Sequence, residues 1–326
     1  MTVSDQAKVQ RPPIAPGSGG DRHVVRRPSR MRSSAAPYIL VAPFALLFVF
    51  LFLVPIVYAI AQSFGGVKRV GLLGQAQTTF VGLANYQAVF HDPAFWHGFL
   101  RVLEYGAVTI PIEIGFALVL ALLVDSAVVR FRHAYRLAFF LPYAVPVVVA
   151  TLMWSSLYEP DFSPLTATLH WFGLPAPDFL GPDTVLWSMA NIALWIWIGY
   201  NMIIFYSALR AVPPEIYEAA RIDGSSELSI AWRIKIPLIR PAITIAFLFA
   251  MIGTLQFFNE PAILSVVSSA IGTDYTPNYY AYNTAFSGRQ YGYASAMSIV
   301  LALITTVLSF IVMRWSAHRA RQAEAR

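Results

Sequence analysis

Long apolar windows alternate along the chain with short polar segments. Six windows stand out, at roughly 38–62, 99–125, 135–158, 184–211, 241–265 and 293–314. Each holds the roughly 20 apolar residues that a helix needs to cross a bilayer core. The most polar insertion runs from Val212 to Pro241, VPPEIYEAARIDGSSELSIAWRIKIPLIRP. Pro213 and Pro214 break the preceding span and suit the first turn of a new helix. Glu215 to Asp223 then has helical propensity, with Ile216, Ala219 and Ala220 expected to form a small apolar face. Gly224 is a natural stop, and Ser225-Ser226-Glu227 starts a second short helix. The pattern predicts a compact helix–turn–helix held at a membrane surface. In the segment 63–98 a short amphipathic stretch is expected around Ala84 to Phe95.

Composition excludes a soluble globular domain: 57% of residues are hydrophobic and 12% charged. No cysteine is present, so neither disulfides nor thiolate metal sites are available. The formal net charge of +6 is explained by topology and calls for no nucleic acid. All but four of the 23 Lys and Arg fall in the N-tail, the loops after spans two and four, and the C-tail. The exceptions are Lys68, Arg69, Arg101 and Arg289. By the positive-inside rule both termini and the Val212–Pro241 segment are cytoplasmic. Residues 1–36 read as a disordered basic N-tail, 37–315 as a six-span domain and 316–326 as a basic C-tail. The first span is too long for a signal-peptide core and reads as an uncleaved helix.

Glu218-Ala219-Ala220, three residues, Gly224, nine residues and Ile234-Lys235-Ile236-Pro237 together resemble the EAA loop of permease subunits in bacterial ATP-binding-cassette (ABC) importers. Of that pattern only the Leu is changed, to Ile236. Phe80-Val81-Gly82-Leu83-Ala84-Asn85-Tyr86 is similar to the segment after span one of carbohydrate-type permeases. Phe139-Phe140-Leu141-Pro142 and Leu152-Met153-Trp154 resemble their third span, and Gly292-Tyr293-Ala294-Ser295-Ala296 the opening of their last. The likeness covers roughly residues 37–315. One departure is the G-G-P that often follows span five, replaced here by Ser265 to Thr273.

The resemblance implies an all-α polytopic protein with six transmembrane helices and a cytoplasmic coupling helix between spans four and five, the type I ABC importer permease fold. It implies a multi-pass protein of the bacterial inner membrane. Its partners would be a second homologous permease, two ABC ATPase subunits and an extracytoplasmic solute-binding protein. Carried over by position, Glu218, Ala219, Ala220, Asp223, Gly224 and Pro237 form the ATPase-coupling contact. The sequence carries no phosphate-binding G-x-x-x-x-G-K-[S/T] loop, so ATP and Mg are expected on the partner ATPases and no cofactor on this chain. Its six His are scattered without an i, i+4 pair, and no nucleophile–base arrangement is recognisable. The chain reads as a non-catalytic transport subunit.

Polar residues at membrane depth face a cavity or another helix. Gln256, Asn259 and Glu260 are spaced to share one helix face, and Asn191 lies four residues before Trp195, with Tyr200 and Asn201 beyond. Aromatic rings stacking on sugar faces, with amides and carboxyls bonding hydroxyls, suit a carbohydrate, and these residues are the substrate-pathway candidates. The alternative is that they bridge helices, the reading favoured for Asn201. Glu113 is a lone carboxyl after Pro111, for which a structural hydrogen bond at the Pro111 kink is the favoured reading and a proton site or cavity group the alternative. The resemblance implies a sugar, an oligosaccharide or a related polyol or polyol phosphate as substrate. No Lys or Arg lies deep in a predicted span, which favours a neutral substrate over a phosphorylated one. Two other functions stand against this one: an ATP-independent secondary transporter and an ABC importer of a non-carbohydrate solute. The first is disfavoured by the lack of an obvious internal repeat.

Overall fold

The computed structural model describes residues 36–69, 76–126, 129–159, 163–175 and 177–324; the expected N-tail lies outside them. They divide into two compact units at Leu53 and Val54. In the first, helix α1 (Ala36–Phe48) passes into a π-helical turn, Val49–Leu53. Phe44, Phe48 and Phe52 stack along it at i, i+4 spacing, with ring centroids 6.1 and 5.5 Å apart.

The second unit begins with α2 (Val54–Ser63) and a hairpin of β1 (Gly65–Arg69) and β2 (Ala76–Phe80), in which Gly65 faces Phe80 and Arg69 faces Ala76. This hairpin is an addition to the expected all-helical chain. Gly82, at φ +58°, turns the chain into α3 (Ala84–Phe90), which ends short of the expected Phe95. Asp92 then caps α4 (Pro93–Asp125): its side chain accepts from the Ala94 amide, and Pro93 suits the first turn.

The third window is not one helix. Helices α5 (Arg132–Phe140) and α6 (Val147–Tyr158) are bent by 92° about a short 3-10 turn, Leu141–Ala144. Pro142 and Pro146 cause the break: each removes a backbone donor, and Pro146 forces Val145 into an extended conformation. Helix α7 (Pro164–Trp171) leads to α8 (Val185–Ala211). At Gly199 of α8 any Cβ would sit 1.7 Å from the Phe139 carbonyl oxygen, so only glycine lets α5 approach there.

The polar insertion folds as α9 (Pro214–Ile222), α10 (Glu227–Ile230), a π-helical turn Ala231–Lys235 and α11 (Ile236–Leu238). Span five is α12 (Arg240–Leu255) followed, after a break, by α13 (Asn259–Leu264). Helix α14 (Pro277–Phe286) precedes α15 (Tyr291–Glu324), which carries the last span through the expected C-tail. Among the described residues five helices are long and apolar enough to cross a membrane, or six where the bent α5–α6 pair is counted as one span.

Helices α4 and α8 form the centre of the core. At the α9 end, Ala117, Ala121 and Val124 of α4 pack against Met202, Phe205 and Leu209 of α8. The small residues of α4 let the two helices approach closely, as lipid-embedded packing requires. At the hairpin end a larger cluster joins Phe99, Val102 and Tyr105 to Met189 and Ile192 of α8 and to Phe257 and Leu264 of span five.

That end is locked by polar residues. Asn85 Nδ2 donates to the carbonyl oxygens of Ser63 and Gly65 at 2.7 and 2.8 Å. The hydroxyls of Tyr86 and Ser63 meet at 2.7 Å. Asp92 Oδ2 accepts from the hydroxyls of Tyr280 and Tyr293 at 3.0 and 2.5 Å. Arg101 donates to the Tyr275 carbonyl at 2.7 Å and lies over the Tyr275 ring.

Candidate functional site

Span five breaks where Pro261 interrupts the backbone ladder. Proline has no N–H to offer the carbonyl of Phe257, and the chain leaves the helix at Gln256 and restarts at Asn259. The freed carbonyls find other donors: Thr276 Oγ1 donates to Phe257 O at 2.9 Å, and Asn278 Nδ2 to Gln256 O at 3.1 Å. Gln256, Asn259 and Glu260 therefore do not share one face of a continuous helix, as their spacing predicts. They lie across a broken turn held from outside by the start of α14.

The break opens onto a cavity of about 500 Å³ between α4, α8, the α5–α6 bend and span five. Gln256, Asn259 and Glu260 line it together with Tyr200. Asn191 and Trp195 are not among its lining residues. Asn191 Nδ2 donates to the Tyr158 hydroxyl at 2.9 Å, and Trp195 packs edge-on to Trp154. Both serve contact between α8 and α6.

One wall is aromatic. Tyr143, from the 3-10 turn, stacks on Tyr200 at 4.5 Å, and Trp197 meets both rings at 5.5 and 5.7 Å. Glu113 of α4 also lines the cavity, and its Oε1 accepts from Asn201 Nδ2 at 2.6 Å. Of the roles left open for Glu113, it has both a cavity position and a structural hydrogen bond, made to α8 and not to the backbone at Pro111. Among the described residues no Lys, Arg or His lines this cavity. Sequence reasoning missed Tyr143 and Trp197. Trp197, Tyr200 and Asn201 sit at i, i+3, i+4 and carried the signal, while Tyr143 enters only because the third span bends.

At the other end, α9 buries Tyr217 and Ala220 against Ile230, with Val212 and Ile234 packed beside them. Of the expected apolar face only Ala220 is buried: Ile216 and Ala219 are exposed, because Tyr217 takes the inner side. The outer side carries Glu218, Ala219, Asp223 and Gly224, all exposed, and Pro237 is half-buried in α11. Ile222, Leu228 and Trp232 extend this surface with 86%, 70% and 66% of their area exposed. Gly224, at φ +80°, ends α9 in a Schellman turn: its amide donates to Arg221 O and the Ser225 amide to Ala220 O, both at 3.0 Å. Ser226 caps α10. Arg221 bonds Glu227 at 2.7 Å across the turn and holds that carboxyl below its ordinary value.

No group of three or more His, Cys, Asp or Glu among the described residues could hold a metal ion.

The model of the family described as "binding-protein-dependent transport system inner membrane component" matches residues 114–322. The chain is 30% identical to the arabinooligosaccharides transport system permease protein AraP of Halalkalibacterium halodurans, over 90% of this chain and 94% of that protein. It is 32% identical to the sn-glycerol-3-phosphate transport system permease protein UgpA of Brucella abortus, over 87% of this chain and 95% of that one. Among solved structures, a bacterial ABC transporter involved in the import of the acidic polysaccharide alginate matches with a TM-score of 0.75 at 20% identity, covering 86% of this chain and 95% of that chain. At that identity the likeness shows a shared fold.

Proposed function

The chain belongs to the family of binding-protein-dependent transport system inner membrane components, and from that premise we propose that it carries a neutral saccharide through the cavity beside the span-five break. It is a multi-pass membrane permease with the type I ABC importer fold. The observation that carries the substrate assignment is the cavity lining. The rings of Tyr143, Trp197 and Tyr200 offer flat apolar faces for pyranose or furanose rings. Gln256, Asn259 and Glu260 offer hydroxyl-bonding groups beside them. A phosphate or carboxylate would find no positive charge in this lining, and burying an unpaired anion is costly. The substrate is therefore an uncharged sugar or oligosaccharide, delivered by an extracytoplasmic solute-binding protein.

On this reading α9 is the coupling helix. Glu218, Ala219, Asp223 and Gly224, with Ile222, Leu228 and Trp232, face an ABC ATPase subunit on the cytoplasmic side, and both termini lie on that side. Ala220 supports the contact from within, and Pro237 sets the return into span five. ATP and Mg bind to two ATPase subunits, and a second permease completes the pathway. Closure of the ATPases rocks the spans between outward- and inward-open states.

The test is to purify the tagged chain in mild detergent with what accompanies it, then reconstitute the assembly in vesicles. An ATPase and a second six-span permease are expected, with saccharide uptake that needs hydrolysable ATP. Trp197→Ala is expected to weaken uptake of a neutral trisaccharide severalfold without loss of assembly. Uptake independent of ATP, or a preference for a uronate trisaccharide over the neutral one, would overturn the corresponding half of the proposal.

A further inference from the structure

Lys235 stands apart from the other cations of the polar insertion because it is buried. Its Nζ lies 2.5 Å from Asp125 Oδ2, and each side chain of the pair is only 7% exposed. Nζ also lies 5.0 Å from the centre of the Tyr217 ring. Tyr217 in turn reaches toward the Leu209 carbonyl with its hydroxyl, at 3.4 Å, at the last turn of α8. Asp125 is the last residue of α4, Tyr217 belongs to α9, and Lys235 ends the π-helical turn after α10. One ammonium thus ties the polar insertion to the end of span two.

A buried ion pair is a poor way to gain stability, since removing two charges from water offsets most of their attraction. What it does supply is a directional link that apolar packing cannot. From Asp125 back to Glu113, α4 is an unbroken helix of about 18 Å without proline, given about 1.5 Å of rise per residue. A pull on Asp125 therefore arrives at the cavity wall. The side chain of Lys235 is enclosed and offers nothing to a docking partner, so its role is distinct from that of the exposed surface of α9.

We propose that Lys235 is a positioning residue that links the coupling segment to span two through Asp125, passing displacement of the docked α9 to the cavity. The proposal rests on the coupling role of α9. It predicts that breaking the link separates ATPase docking from movement of α4.

The absence of cysteine allows a direct test. Cysteines placed at Val119 of α4 and Ile245 of α12, both exposed, would carry spin labels in the assembled transporter, with partner cysteines removed. The label-to-label distance is compared between nucleotide-free and ADP-vanadate-trapped states. In the otherwise unchanged chain a shift of about 2 Å or more is expected, as for helix movements in switching proteins. Lys235→Met is expected to retain the ATPase on purification but lose the shift, and Lys235→Arg to keep both. Asp125→Asn combined with Lys235→Met removes the stranded carboxylate, and should recover the melting temperature without recovering the shift. If the double variant recovers the shift as well, or Lys235→Met never loses it, the pair only balances charge and the proposal fails. An unchanged chain that binds the ATPase yet shows no shift also overturns it, while leaving docking intact. Failure of the unchanged chain to recover any ATPase would instead sink the coupling role of α9.

Discussion

The hydroxyl of Thr276 donates to the carbonyl oxygen of Phe257 at 2.9 Å, four residues before Pro261. In a continuous helix that carbonyl would accept from residue 261, whose ring nitrogen has no hydrogen. Thr276 is fully buried and also accepts from the Tyr279 amide as the cap of α14. Thr276→Val keeps the shape but strands the carbonyl, at a cost of about 1–3 kcal/mol. We expect a clearly lower melting temperature for the purified transporter carrying Thr276→Val and a small change for Thr276→Ser. Equal melting of the two variants would show that the Phe257 carbonyl has another donor.

Glu113 and Asn201 bridge α4 and α8 at 2.6 Å beside the cavity. A glutamine at 113 can still accept from the Asn201 amide, whereas an alanine leaves Asn201 Nδ2 with only its 3.3 Å bond to the Trp197 carbonyl. Glu113→Gln is therefore expected to retain most uptake, and Glu113→Ala to lose about 1–3 kcal/mol of stability. Were the carboxyl a proton carrier, as in a secondary transporter, Glu113→Gln would abolish uptake as completely as Glu113→Ala. Parallel uptake and melting measurements separate these outcomes.

Much of this architecture is legible in the residues, and the exceptions have physical causes. Span positions and the helix–turn–helix of 214–230 follow from apolar runs, Pro213-Pro214, Gly224 and Ser226, all of which act locally. The motif residues Asn85, Tyr86 and Gly292 belong to the polar lock at the hairpin end, where a Cβ on Gly292 would lie 1.8 Å from the Gly65 carbonyl oxygen. Their shared sequence pattern reflects packing between α2, α3 and α15 as much as transport. The break at Gln256–Phe258 has a local signal in Pro261, but the apolar run of span five continues past it to Leu264, and the donors that satisfy the freed carbonyls, Thr276 and Asn278, are remote in sequence. Tyr143 was invisible for a related reason, since its place in the cavity depends on the 92° bend. Lys235 counted as one more cytoplasmic charge; nothing near it in sequence announces Asp125.

Asp92 caps α4 and accepts hydrogen bonds from Tyr280 and Tyr293. Burial opposes its ionisation, but the two hydroxyls and the amides of Ala94 and Phe95 outweigh this and hold its carboxyl below the ordinary value of 3.8. Burial and the bond to Asp92 correspondingly push the Tyr280 hydroxyl up to about 12. A depressed carboxyl contributes stability above its unfolded value and loses it as pH falls through the folded value. The melting temperature should therefore drop as pH is taken below about 4, and Asp92→Asn should flatten that acid limb while keeping the cap. An acid limb unchanged in Asp92→Asn would assign it to other carboxyls.

Gly224 tests whether the turn after α9 matters for its backbone or for the room around it. Its φ of +80° disfavours residues with a Cβ, by roughly 1–2 kcal/mol. Yet among the described residues, its two chain neighbours apart, no atom lies within 4 Å of where a Cβ would be, so there is space for one. Asparagine tolerates this backbone region better than alanine. If conformation alone is required, Gly224→Asn should preserve uptake better than Gly224→Ala. If the ATPase surface closes over the turn, both variants should lose ATP-driven uptake, as should Gly224→Asp and Glu218→Lys, while all insert normally in the membrane. We expect the second pattern, because Glu218, Ala219 and Gly224 are exposed together on the outer side of α9. Normal uptake by Gly224→Asp would remove α9 from the coupling contact, whatever its resemblance in sequence.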